Sequence, residues 1–126
     1  DFICEKAKGI AELGYTAFAL DVYGKGVLGN TREECIALKK PFLEDRHLLQ
    51  KRLLKGYQEG CALPQADGSH VAVLGFGFGG MCALDLARAG VNLKGAISIY
   101  GHFDEPKRCP VKPIQTKILI EHGYDD

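Results

Sequence analysis

Residues 71–80, Val-Ala-Val-Leu-Gly-Phe-Gly-Phe-Gly-Gly, constrain this chain more than any other stretch. Val71 to Leu74 is a short apolar run of the kind that fills a buried parallel strand. Gly75, Gly77, Gly79 and Gly80 follow at once, and Met81 to Ala89 reads as an apolar helix that ends before Gly90. A strand that turns into a helix across so few side chains can lay its backbone directly on the helix. The stretch therefore predicts a sheet with a helix packed on it.

The rest of the chain alternates in the same manner. Residues 2–13 place Ile3, Ala7, Ile10 and Ala11 on one helical face, and Gly14 follows as the C′ residue. Tyr15 to Leu20 is almost continuously apolar and reads as another buried parallel strand. Asp21 to Asn30 is a loop with Gly24, Gly26 and Gly29. Thr31 and Glu34 have capping-box spacing, and the helix they open is expected to be interrupted near Pro41. A further helix over about 46–59 aligns Leu49, Leu53 and Tyr57. Pro64 and Asp67-Gly68 mark a turn. Ala96–Ile99 and Lys117–Ile120 are two more strands, separated by a loop with Pro106, Pro110 and Pro113. This β–α–β–α–β–β order implies a parallel sheet with helices on its faces. Sites in such sheets form at the carboxyl ends of strands, here residues 21–26, 75–80, 100–104 and 121–126.

Composition removes several functions. The 126 residues suit one modest domain, and 16 basic residues balance 16 acidic ones. A neutral chain gives no electrostatic reason to bind nucleic acid or an anionic membrane. No apolar run approaches the roughly 18 residues of a membrane span, and no signal peptide is visible at residues 1–6. The cysteines at 4, 35, 61, 82 and 109 are odd in number and form no C-x-x-C pair. They read as reduced thiols of a cytoplasmic protein, with no metal site.

Four segments resemble one family. Gly75-Phe76-Gly77-Phe78-Gly79-Gly80 is similar to the nucleophile elbow of the dienelactone hydrolases, G-F-C-F-G-G, with glycine where the cysteine stands. Leu13-Gly14-Tyr15 through Asp21-Val22-Tyr23-Gly24 resembles the family's "L-G-Y … P-D-L-Y" strand and loop, with Ala19 in place of the usual proline. Ile97 to Gly101 resembles the next strand and its active-site loop. Ile118 to Asp126 resembles the strand end "H-G-x-x-D" that carries the catalytic acid. The resemblance implies an α/β-hydrolase fold of which residues 1–126 are the central portion of a single domain. The family's earlier strands and its later catalytic histidine would lie outside them, and one such strand would separate segment 15–20 from segment 71–75.

The implied activity is hydrolysis of a small ester or lactone bearing a carboxylate, with no metal or organic cofactor. A thiolate attacks the carbonyl, a histidine shuttles the proton, an acid orients the histidine, and backbone N–H groups hold the oxyanion. On this resemblance Gly77 occupies the nucleophile position, Asp126 (or Asp125) is the acid, and the N–H of Phe78 faces the oxyanion. Lys25, two residues beyond Tyr23, stands where the family carries a cation for the substrate carboxylate. Tyr23, Tyr100 and His102 line the site. His122 belongs to the H-G turn and reads as a packing residue, and Cys82 as a buried one.

Two other functions compete. A family member without its nucleophile can survive as a ligand-binding protein. Gly75-x-Gly77-x-x-Gly80 also fits the dinucleotide fingerprint of an oxidoreductase. That motif wants an acid about 20 positions on, at the end of the next strand, and Gly95 to Tyr100 holds none.

Overall fold

The computed structural model describes all 126 residues. Its elements run α1 (Phe2–Glu12), α2 (Arg32–Glu44), α3 (Arg46–Cys61), β1 (Ala72–Phe76), α4 (Phe78–Arg88), β2 (Gly95–Ile99) and β3 (Lys117–Glu121). The three strands form one parallel sheet in the order β1-β2-β3. Leu74 pairs with Ile97 and Ile97 with Leu119, so all three strands end together.

Helix starts follow the side-chain chemistry. Glu34 N–H donates to Thr31 Oγ1 at 3.2 Å, and Thr31 N–H donates to Glu34 Oε2 at 3.3 Å. These reciprocal bonds satisfy two of the unpaired donors of the first turn of α2. Gly14 leaves α1 with φ of 96°, as a C′ residue does.

Pro41 does not interrupt its helix as expected; α2 continues through it to Glu44. Proline has no N–H to donate to the preceding turn, yet its carbonyl still accepts from Asp45 N–H at 2.9 Å and the helix runs on past it. The break falls at Asp45, which ends α2 and caps α3 by accepting from Leu48 N–H at 3.0 Å.

Tyr15–Leu20 is the second correction: it joins no ladder. A strand exists through its pairing, and this segment pairs with none of the three strands. It runs over α3 instead. Leu20 sits on Gly56 so closely that a Cβ there would overlap it, and Phe18 lies 3.0 Å from the Cβ position of Gly60. Thr16 Oγ1 donates to the carbonyl of Gln65 at 2.8 Å. Two glycines one turn apart thus form the bed for the segment, which pairs with neither β1 nor any other strand.

The core lies between α3, α4 and one face of the sheet. Phe42, Leu49, Leu53, Met81, Cys82, Leu86 and Leu93 are buried together. Burying a leucine such as Leu49 completely contributes about 1.5–3 kcal/mol. On the opposite face, Phe2 of α1 meets Phe76 edge-on with ring centroids 5.2 Å apart. Strand β3 is exposed along its whole length.

Candidate functional site at the carboxyl ends of the strands

A single residue joins β1 to α4. Gly77 has φ of 53° and ψ of −116°, a backbone region that side chains avoid. Its N–H donates to the carbonyl of Ile99 at 2.9 Å, which pins the turn to the end of β2. Helix α4 begins at Phe78, three residues earlier than the sequence periodicity suggests. Gly79 and Gly80 belong to the helix rather than to a turn. A Cβ on Gly75 would overlap the backbone of Gly79, so strand and helix touch main chain to main chain. Gly80 performs the same service toward β2: a Cβ there would stand 2.7 Å from Ser98 Oγ and 3.0 Å from Gly101 Cα.

Glycine gives α4 no side-chain cap. The N–H of Phe78, in the first helical turn, has no acceptor within the helix. Aromatic rings flank the junction on both sides. Tyr23 stacks on Phe78 with centroids 6.1 Å apart and an interplanar angle of 15°. Phe76 and Tyr100 lie 6.1 Å apart across the ends of β1 and β2. Burial holds the Tyr23 hydroxyl above its ordinary pKa, with Cys82, Cys35 and Asp21 adding to the effect.

An open depression of about 480 Å³ lies beside this junction, lined by Tyr100, Gly101, His102, Phe103, Asp104, His122 and Asp126. Tyr100 takes a positive φ of 43° and donates its N–H to the carbonyl of Glu121 at 2.7 Å. That bond ties the loop after β2 to the end of β3. The His122 and Phe103 rings meet at a tilt of 43° with centroids 4.8 Å apart, and His122 Nε2 lies 3.1 Å from the main-chain oxygen of Asp126. The structure thus brings Tyr100, His102 and Asp126 to one cavity, with Tyr100 also bordering Gly77.

Lys25 and Tyr23 stand apart from that cavity lining. Lys25 is exposed in a loop shaped by Asp21, whose Oδ1 accepts from the N–H groups of Tyr23 and Gly24 at 2.9 and 3.0 Å. The cation that bonds this loop is Arg52, which donates to the carbonyls of Val22 and Tyr23 at 3.0 and 3.2 Å. Cys82 is 5% exposed, and burial, helped by Asp85, pushes its thiol up to about 12.

Sequence reasoning missed one cluster. Arg46 forms a two-pronged bond with Asp85, Nε to Oδ2 at 2.8 Å and Nη2 to Oδ1 at 2.7 Å, and both residues are buried. Arg88 adds a bond to Asp85 Oδ1 at 3.2 Å. The signal was present: Asp85 interrupts the otherwise apolar Met81–Ala87 run, and a charge there demands a partner.

The comparisons with known proteins agree with this architecture. The model of the dienelactone hydrolase family matches residues 1–126. This chain belongs to the dienelactone hydrolase family. Among solved structures, it is similar to a dienelactone hydrolase-like promiscuous phosphotriesterase from metagenomic libraries, at 31% identity over 98% of the chain, with a TM-score of 0.89. It is also similar to a protein named m3DLH, at 30% identity over 98% of the chain, with a TM-score of 0.86. The chain spans 51% of each of those structures. No curated protein matches. The family's α/β-hydrolase-type fold is therefore that of this chain. No helix is long and apolar enough to cross a membrane.

Proposed function

We propose that the chain carries the catalytic face of a hydrolase for small carboxylate-bearing esters or lactones, and that it is inactive in its present form because Gly77 occupies the nucleophile position. The carrying observation is the junction itself: one residue with positive φ, between a parallel strand and a helix, faces Tyr100, which lines the depression at the carboxyl ends of the strands. In this reading the Phe78 N–H supplies one oxyanion donor, Asp126 is the acid, Tyr100 and His102 shape the pocket, and Tyr23 contacts substrate from the Phe78 side of the junction. Lys25, exposed and without an ion-pair partner, attracts the substrate carboxylate.

The chemistry fails at one point. The elbow delivers one side chain to the substrate, and glycine supplies none, so no acyl-enzyme can form. The test is Gly77→Cys in the protein as its gene encodes it, assayed on an activated ester. The reading expects the cysteine form to exceed the glycine form by roughly 10⁶-fold, the scale of the loss when a nucleophile is removed and the oxyanion donors remain. Equal rates would remove residue 77 from the nucleophile position. A folded but inactive cysteine form would favour the ligand-binding reading.

The same glycine favours that second reading, a family member that retains its pocket without turnover. The dinucleotide reading has less support: β2, the strand beside β1, ends at Ile99, with Tyr100 next, and presents no acid for a ribose. Saturable NAD(P) binding by calorimetry would restore it.

A further inference from the structure

His102, Phe103 and Asp104 are exposed on the cavity side, yet the main-chain carbonyls of Phe103 and Asp104 are held by two arginines. Arg46 Nη2 reaches past Asp85 to the carbonyl of Asp104 at 3.1 Å. Arg88 donates to the same carbonyl at 3.3 Å and to the carbonyl of Phe103 at 2.9 Å. We propose that Arg46, Asp85 and Arg88 are positioning residues for the cavity: Asp85 orients both guanidinium groups, and these fix the 103–104 main chain so that the Phe103 ring packs against His122. The proposal rests on reading this cavity as the functional site.

The chemistry of the cluster supports a positioning task over a merely stabilising one. A buried carboxylate–guanidinium pair loses much of its attraction to desolvation, and an apolar pair of equal volume would often serve stability as well. An apolar pair has no N–H groups to offer two main-chain carbonyls of an exposed loop. Arginine also suits the geometry, since its planar fork serves a carboxylate and a carbonyl at once. The three residues come from the first turn of α3 and from α4, the helix that follows Gly77. Junction and loop are thereby referenced to one rigid element.

The reporter is Phe103 itself. Its ring lies 4.8 Å from that of His122, so the ring protons of His122 carry a ring-current shift that depends on the loop's position. The experiment compares Asp85→Asn and Arg88→Lys with Leu86→Ala, a core truncation one residue from Asp85. The proposal expects Asp85→Asn and Arg88→Lys to move the His122 ring resonances toward the values of a histidine with no aromatic neighbour. Leu86→Ala, although it lowers Tm at least as far, leaves them in place. In a Gly77→Cys background, the two network variants lower kcat/KM on an activated ester by at least about tenfold, the scale of a modest misplacement of site groups. Leu86→Ala does so by less than twofold.

Arg88→Lys keeps the Arg46–Asp85 pair and decides the matter if Asp85→Asn does not fold. His122 resonances that stay put in a folded network variant, or that move as far in Leu86→Ala, would overturn the proposal. Absence of esterase activity in Gly77→Cys alone would instead remove the hydrolase reading and leave the His122 resonances to decide positioning.

Discussion

A side chain at residue 77 would point at Tyr100: a Cβ built on Gly77 stands 3.3 Å from Tyr100 Cε2 and 3.7 Å from Cδ2. Any residue other than glycine there meets two costs, the positive φ and the aromatic edge. The strained backbone alone costs about 1–3 kcal/mol. Tyr100 is half exposed and can yield by a few tenths of an ångström, so contact is the smaller part. Gly77→Cys should therefore lower Tm while introducing the nucleophile. Equal or higher stability of the cysteine form in a thermal melt would contradict the strain argument.

Cys82 should not substitute for the missing nucleophile. Its thiol, raised from 9 to about 12 chiefly by burial, stays protonated at neutral pH. A raised folded-state pKa means that stability is fully present below about pH 9 and is lost as pH rises toward 12. At pH 8 a water-soluble thiol reagent should modify the exposed Cys4 and Cys35 promptly and reach Cys82 only on unfolding. Rapid labelling of Cys82 in the native state, followed by mass spectrometry of peptides, would show that burial does not protect it.

Much of the sheet was legible because its signals are local. The apolar runs at 71–74, 96–99 and 117–120 all became strands, and the Thr31–Glu34 spacing became a capping box. What misled was non-local. Tyr15–Leu20 has a strand's composition, but composition cannot supply a neighbouring backbone, and Gly56 and Gly60 offer the segment a different bed. The start of α4 was misjudged because glycine is a poor helix former, and close approach to β1 and β2 overrides that propensity at Gly79 and Gly80. In the site, Gly77, Tyr100 and Asp126 lie at strand ends where sequence reasoning looked for them. Arg46 and Arg88 were missed because nothing along the chain reveals which carbonyls an arginine will reach.

Asp67 offers a test of the turn that precedes β1. Its carboxylate accepts from Ser69 Oγ at 2.5 Å and Ser69 N–H at 2.9 Å, and lies 2.8 Å from His70 Nδ1. These bonds, those from Ser69 foremost, lower its pKa from 3.8 to about 2. A lowered folded-state pKa contributes stability above about pH 4 that is lost as pH falls toward 2. Ser69→Ala removes the hydroxyl donor and should move the Asp67 carboxyl titration upward, toward 3.8. An unchanged carboxyl carbon titration by NMR would assign the shift to the backbone N–H and His70 alone.

The contact between β1 and α4 yields a contrast between two glycines four residues apart. At Gly75 a Cβ would overlap the carbonyl group of Gly79 and crowd the nitrogen of Gly80, both backbone atoms of a helix that cannot swing aside. Gly75→Ala must push α4 away from the sheet, with a cost at or above the about 1–3 kcal/mol typical of overpacking. At Gly79, in the first turn of the same helix, a Cβ meets nothing within 4 Å. Alanine there removes backbone freedom from the unfolded chain and should stabilise by roughly 0.5–1 kcal/mol. The two substitutions add the same methyl group within one turn of each other, yet Tm should fall for Gly75→Ala and rise by a few degrees for Gly79→Ala. Because the first also displaces the Phe78 N–H from the end of β1, Gly75→Ala in a Gly77→Cys background should lose ester hydrolysis, while Gly79→Ala keeps it. A Gly75→Ala protein that melts at the parental temperature would show that strand and helix do not meet main chain to main chain.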